Sequence, residues 1–268
     1  MEHKLKLGII EVLNVLPVHY GILRNIVTAP CEIVRGKVTE LNNALAQGDI
    51  DISVVSSFEY ARNFHLYYVF PNLSVGADGP VKSIYLFLKK PLEELDNDTI
   101  KLTAFSLTSV HLIRYILQDY NVKFTQKPTG DVSGELLIAD EAIRRYYSRQ
   151  DPYVYDLSEL WNIKTGLPFV FALWICRRDV FDRYPEQVLE TYNALIESKN
   201  RSKDLYGQMA LEGYEGIFPD AHSCEDYLKN IHYELSEKYQ GGFLYFQQKL
   251  LLLGKLKQIA PIEFIPLD

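Results

Sequence analysis

The chain has 268 residues, 47% of them hydrophobic, which is enough to bury a substantial core and excludes disorder as its overall state. A formal charge of −7 argues against bulk affinity for nucleic acid or anionic membrane, because those surfaces reward clustered Lys and Arg. No run approaches the roughly 18 consecutive apolar residues of a membrane span.

The N-terminal segment MEHKLKLGIIEVLNVLP lacks the apolar stretch and small-residue cleavage site of an export signal, so a cytoplasmic location is expected. Cys31, Cys176 and Cys224 are odd in number and far apart, which fits inert thiols in a reducing compartment.

KLKLGII opens the chain as a buried strand, and Pro17 suits the first turn of a helix through VHYGILRN. DISVV is the next strand, followed by Ser56, Ser57 and a helix through FEYARNF. KLTAF and ELLIA repeat the pattern, the first leading through Ser106, Thr108 and Ser109 into VHLIRYILQDY, the second through Asp140 into EAIRRYYSR. Strands alternating with helices predict an α/β fold with largely parallel pairing.

Two other apolar runs, SIYLFL and PFVFALWI, have strand composition but end in basic residues, and read as crossings between two lobes. The expected division is a first lobe over residues 1–87, a second over 88–176, and a return to the first over 177–268. In the last part, PEQVLETYNALIESKN reads as a helix, as do CEDYLKNIHYELSEKY and FLYFQQKLLLLGKL, divided at Gly241 and Gly242. The sequence carries no signature of an oligomeric state.

The common cofactor and nucleophile signatures are missing, and no two of His3, His19, His65, His111, His222 and His232 have metal-ligand spacing on one helix, so neither metal nor organic cofactor is expected. His19 and His111 follow strand ends, yet an ordinary surface or core histidine is the commoner reading for each. In open parallel sheets the carboxyl ends of strands line the ligand crevice, so Asn14, Ser56, Ser57, Thr108, Ser109 and Asp140 are expected to converge there. A helix N-terminus offers unpaired N–H groups, which points to a small anionic ligand. Each of these residues is also an ordinary helix cap, and only their recurrence at successive junctions carries the reading. Asp140 fits least well, since a carboxylate repels an anion. Ser83 begins the first crossing run, where it can reach a ligand from the hinge.

These segments, in order, resemble the motifs of the chorismate dehydratases. IIEVLNVLP, GDIDISVVSSFEY, GPVKSIYLF, FSLTSVHLIRYIL, LLIADEAI and YDLSELWNIKTGLPFVFALW carry the resemblance over roughly residues 7 to 180, most specifically in the last segment. The resemblance implies a two-lobed fold like that of type II periplasmic binding proteins. It also implies loss of water from chorismate, a dicarboxylate, to give 3-[(1-carboxyvinyl)oxy]benzoate in the futalosine route to menaquinone. Asn14 matches the family's active-site Asn, Ser83 its crossing-strand Ser, and Thr108 with Ser109 its carboxylate-anchoring pair. Val12 stands where the family commonly has Tyr, and Ala139 where it commonly has Gly. A non-catalytic carboxylate-binding protein and a 1,4-dihydroxy-6-naphthoate synthase-like enzyme on the same fold stay open as alternatives.

Overall fold

The structure, a computed structural model, describes residues 4–267, so His3 lies outside the described residues. The chain begins with β1 (Leu5–Ile10), α1 (Leu16–Leu23), β2 (Cys31–Gly36), α2 (Val38–Gln47), β3 (Ile52–Ser56), α3 (Ser57–Asn63) and β4 (Tyr67–Ala77). It continues with β5 (Ile84–Leu88), β6 (Asp96–Lys101), α4 (Leu107–Ile116), β7 (Asn121–Thr125), β8 (Gly134–Ile138), α5 (Ala139–Ser148), β9 (Tyr153–Asp156) and α6 (Leu157–Thr165). After β10 (Phe169–Arg177) come α7 (Arg178–Arg183), α8 (Pro185–Ser202), α9 (Tyr206–Gly213), α10 (Ala221–Asn230) and α11 (Glu237–Leu252).

The strands form two five-stranded sheets, ordered β2-β1-β3-β10-β4 and β7-β6-β8-β5-β9. In each, a parallel trio is joined by an antiparallel pair: β10 runs against β3 and β4, and β5 against β8 and β9. The two apolar runs are therefore interior strands of one sheet each. Ile84–Leu88 is buried throughout, as is nearly all of Phe169–Arg177, and a strand so placed needs partners on both edges. The chain passes between the sheets in the short segments before them, residues 78–83 and 166–168.

Two local expectations need correction, and one strand went unread. KLTAF is not a strand: β6 ends at Lys101, and Thr103 accepts the Phe105 N–H at 3.2 Å in the loop that follows. β4 had no clear signature, because Pro71 and the left-handed Asn72 (φ 55°) interrupt it; its pairing with β10 shifts register there. The last helices divide at residues 231–236 rather than at Gly241 and Gly242, both of which lie inside α11. Gly242 is needed for packing, not termination: a Cβ there would sit 2.1 Å from the Pro168 carbonyl oxygen. The break occurs where His232 exchanges backbone hydrogen bonds with Gly76 of β4, both at 2.9 Å.

Candidate functional site

The carboxyl ends of β1, β3 and β8, the start of β5 and the first turn of α4 surround a cavity of about 230 Å3 between the two sheets. Asn14, Ser56, Ser83, Thr108 and Ser109 all line it. Two of the expected residues do not. Ser57 is fully buried beside the cavity, its hydroxyl without a partner, because the first residue of α3 turns inward while its neighbour Ser56 faces the opening. Asp140 lines an adjoining cavity of about 350 Å3 with Arg24, Arg35 and Glu212; the two spaces share Ile10 and Val12 as walls.

Local structure explains each placement. Asn14 sits in the tight turn after β1, where the Val15 N–H donates to the Val12 carbonyl at 3.3 Å and Pro17 starts α1. Its backbone carbonyl accepts the Tyr233 hydroxyl at 3.0 Å, while its buried Oδ1 has no partner. Ser56 caps α3, its hydroxyl accepting the Glu59 N–H at 3.3 Å.

Ser106 caps α4 by accepting the Ser109 N–H at 3.1 Å and lies 3.0 Å from the Ser109 hydroxyl. The Val110 N–H goes to the Ser106 carbonyl, so the amides left at this helix end are those of Leu107 and Thr108. The Thr108 hydroxyl accepts the Phe58 N–H at 3.1 Å, a bond between the two sheets' helices.

Ser83 is held by the crossing that precedes it. Asp156, the cap of α6, accepts the N–H groups of Val81 (3.1 Å), Lys82 (2.7 Å), Ser158 (2.9 Å) and Glu159 (3.2 Å). Burial pushes its carboxyl up to about 6, against the downward pull of those four amides. The Ser83 carbonyl in turn accepts the Ala139 N–H at 2.8 Å. Ala139, where the family resemblance pointed to Gly, adopts a left-handed backbone with φ 53°.

The cavity has one ionisable lining residue, Glu59, and it is occupied. Its carboxylate accepts Arg62 at 2.5 Å and Asn63 at 2.6 Å. Neither His19 nor His111 reaches the cavity. His19 is fully buried and accepts the Trp174 indole N–H on Nε2 at 3.0 Å; burial drives its pKa down to about 3. His111 packs on Phe58 with ring centres 4.3 Å apart and is lowered to about 4, chiefly by burial and then by Lys255 and Arg114. No group of three or more His, Cys, Asp or Glu side chains among the described residues is arranged to hold a metal ion.

Sequence reasoning missed Phe105, Thr39 and Asn42, which also line the cavity. Phe105 is 71% exposed at the rim, an unusual place for a phenylalanine. It lies inside KLTAF, where strand composition disguised a loop. Thr39 and Asn42 lie on α2, which follows an edge strand with no apolar run to mark it.

The chain is 29% identical over 266 residues to a chorismate dehydratase of Thermus thermophilus, covering 91% of this chain and 94% of that one. It is 26% identical over 208 residues to a chorismate dehydratase of Campylobacter jejuni, covering 74% and 82% respectively. The solved structure of a Candida albicans protein described as having the generic periplasmic binding protein fold superposes with a TM-score of 0.68 at 10% identity, over 100% of this chain and 99% of that one. The architecture is thus the two-lobed periplasmic-binding-protein type. Residues 5–250 match the menaquinone biosynthesis family model, and the chain belongs to that family.

Proposed function

We propose that the protein is a chorismate dehydratase, a carbon–oxygen hydro-lyase that converts chorismate to 3-[(1-carboxyvinyl)oxy]benzoate in the futalosine route to menaquinone. We place it in the cytoplasm, where its buried free thiols Cys31, Cys176 and Cys224 suit a reducing compartment. The lobes we propose follow the two sheets, with passages at residues 78–83 and 166–168.

One observation carries this reading: the inter-sheet cavity is lined by neutral hydrogen-bonding side chains and a helix N-terminus, while its single carboxylate is already bound by Arg62 and Asn63. Such a lining suits an anionic ring that needs orientation more than acid–base chemistry. In the reaction, a proton leaves the ring carbon bearing the enolpyruvyl ether and hydroxide leaves the adjacent carbon. Together they make one water, and the ring becomes aromatic. The amides at the start of α4, with Thr108 and Ser109, hold one carboxylate of the substrate. Asn14 and Ser83 orient the enolpyruvyl arm, whose own carboxylate takes the ring proton, since the cavity supplies no free base. Ser56 completes the polar lining, and Phe105 provides an apolar face for the ring. Ser57 and Asp140, which do not line this cavity, receive no role in the reaction.

Incubation with chorismate followed by mass spectrometry tests the proposal: a product lighter by one water is expected from the wild type, and from Asn14→Ala at a strongly reduced but measurable rate. Unchanged chorismate retained by the protein would make it a binding protein instead.

A further inference from the structure

The segment from Tyr227 to Tyr233, which ends α10 and leads toward α11, bonds to β4, to the passage between the sheets and to the turn after β1. His232 and Tyr233 are pinned to β4 through backbone bonds with Gly76 (2.9 Å) and Ser74 (3.0 Å). The Asn230 carboxamide donates to the Pro80 carbonyl at 2.8 Å, within the passage between the sheets. The Tyr233 hydroxyl donates to the Asn14 carbonyl at 3.0 Å, and the buried Tyr227 hydroxyl approaches Ser83. One short stretch of chain, far in sequence from the turn after β1, thus bonds directly to the candidate residue Asn14. Tyr233 is buried, at 5% exposure, and its hydroxyl is engaged as a donor by the Asn14 carbonyl.

We propose that Tyr233 is a positioning residue that sets the placement and orientation of Asn14 at the cavity. The proposal rests on the chorismate dehydratase reading given above. Tyr233 holds the Asn14 turn by its backbone carbonyl and so sets where the carboxamide, whose buried Oδ1 has no partner, stands at the cavity wall. Backbone bonds to β4 and the Asn230 bond to the passage between the sheets hold the segment that carries Tyr233 in place.

The test measures chorismate turnover in Tyr233→Phe, alone and combined with Asn14→Ala, with thermal melts of every variant. Tyr233→Phe is expected to lower kcat about tenfold or more while KM moves less than about threefold, since misplacement of a reacting group falls on the chemical step. Asn14→Ala keeps its backbone carbonyl, so a purely structural contribution of the Tyr233 hydroxyl survives in that background. The expected signature is therefore non-additive: Tyr233→Phe costs nothing further in kcat once the carboxamide is gone, yet lowers the melting temperature by the same amount. An equal kcat loss in both backgrounds, a wild-type kcat, or a Tyr233→Phe protein that does not fold overturns the assignment. Wild-type turnover by Asn14→Ala itself sinks the underlying reaction reading, and that arm is read separately.

Discussion

The Thr108 hydroxyl accepts the amide N–H of Phe58 at 3.1 Å, tying the first turn of α4 in one lobe to the first turn of α3 in the other. Both partners are buried, so the bond has no water to replace it. Thr108→Val keeps the side-chain shape and strands the Phe58 N–H. It is expected to cost about 1–3 kcal/mol in urea denaturation and to raise KM for chorismate. Thr108→Ser, which retains the acceptor, should recover most of both losses.

Gly241 and Gly242 are neighbours in α11 with opposite demands. A Cβ at Gly242 would collide with the Pro168 carbonyl at 2.1 Å, whereas one at Gly241 would meet nothing within 4 Å. Gly242→Ala is expected to destabilise by at least about 2 kcal/mol, because the obstacle is backbone. Gly241→Ala should stabilise by up to about 1 kcal/mol through helix propensity. Chemical denaturation of the two variants side by side checks the sign of each.

Ala139 holds a left-handed conformation, φ 53°, at the junction of β8 and α5. That conformation costs an L-residue about 1–2 kcal/mol, part of which glycine gives back in unfolded-state entropy. Ala139→Gly is therefore expected to raise stability by about 0.5–1 kcal/mol, seen as a higher melting temperature. A lower one would mean that the Ala139 methyl contributes packing that outweighs its backbone cost.

His19 is buried as a neutral imidazole with its pKa held down to about 3. The unfolded chain takes up a proton there below roughly pH 6.5 and the folded protein does not, so this contribution to stability is present above that pH and lost as pH falls toward 3. The expected slope is up to about 1.4 kcal/mol per pH unit. His19→Gln, which still offers the Trp174 indole an acceptor, should flatten the acid limb in denaturation measured between pH 7 and 4. An unchanged limb would assign the acid sensitivity to other groups.

Phe105 stands 71% exposed at the rim of the cavity. Phe105→Ala is expected to raise KM for chorismate several-fold, about 1 kcal/mol of ring contact, with little effect on the melting temperature. Steady-state kinetics with a parallel melt separates the two effects.

What could be read from the residues alone was local. Apolar strands such as Leu5–Ile10 and Gly134–Ile138, followed by polar junctions and amphipathic helices, announce an α/β chain because burial and periodicity are properties of short windows. Asn14, Ser56, Ser83, Thr108 and Ser109 were legible as junction residues for the same reason, and all five line one cavity. Ser57 and Asp140 have the same local signature and face elsewhere, since a one-residue step around a helix start turns a side chain through about 100°.

The tertiary structure decided everything that depends on distant segments meeting. No window of sequence joins Phe58 to Thr108, or Tyr233 to Asn14 across 219 positions. Nor could Gly242 be told from an ordinary helix stop without the Pro168 carbonyl pressed against it. Hydrogen bonds act over about 3 Å regardless of separation along the chain, so their pairing is fixed only when packing brings the groups together.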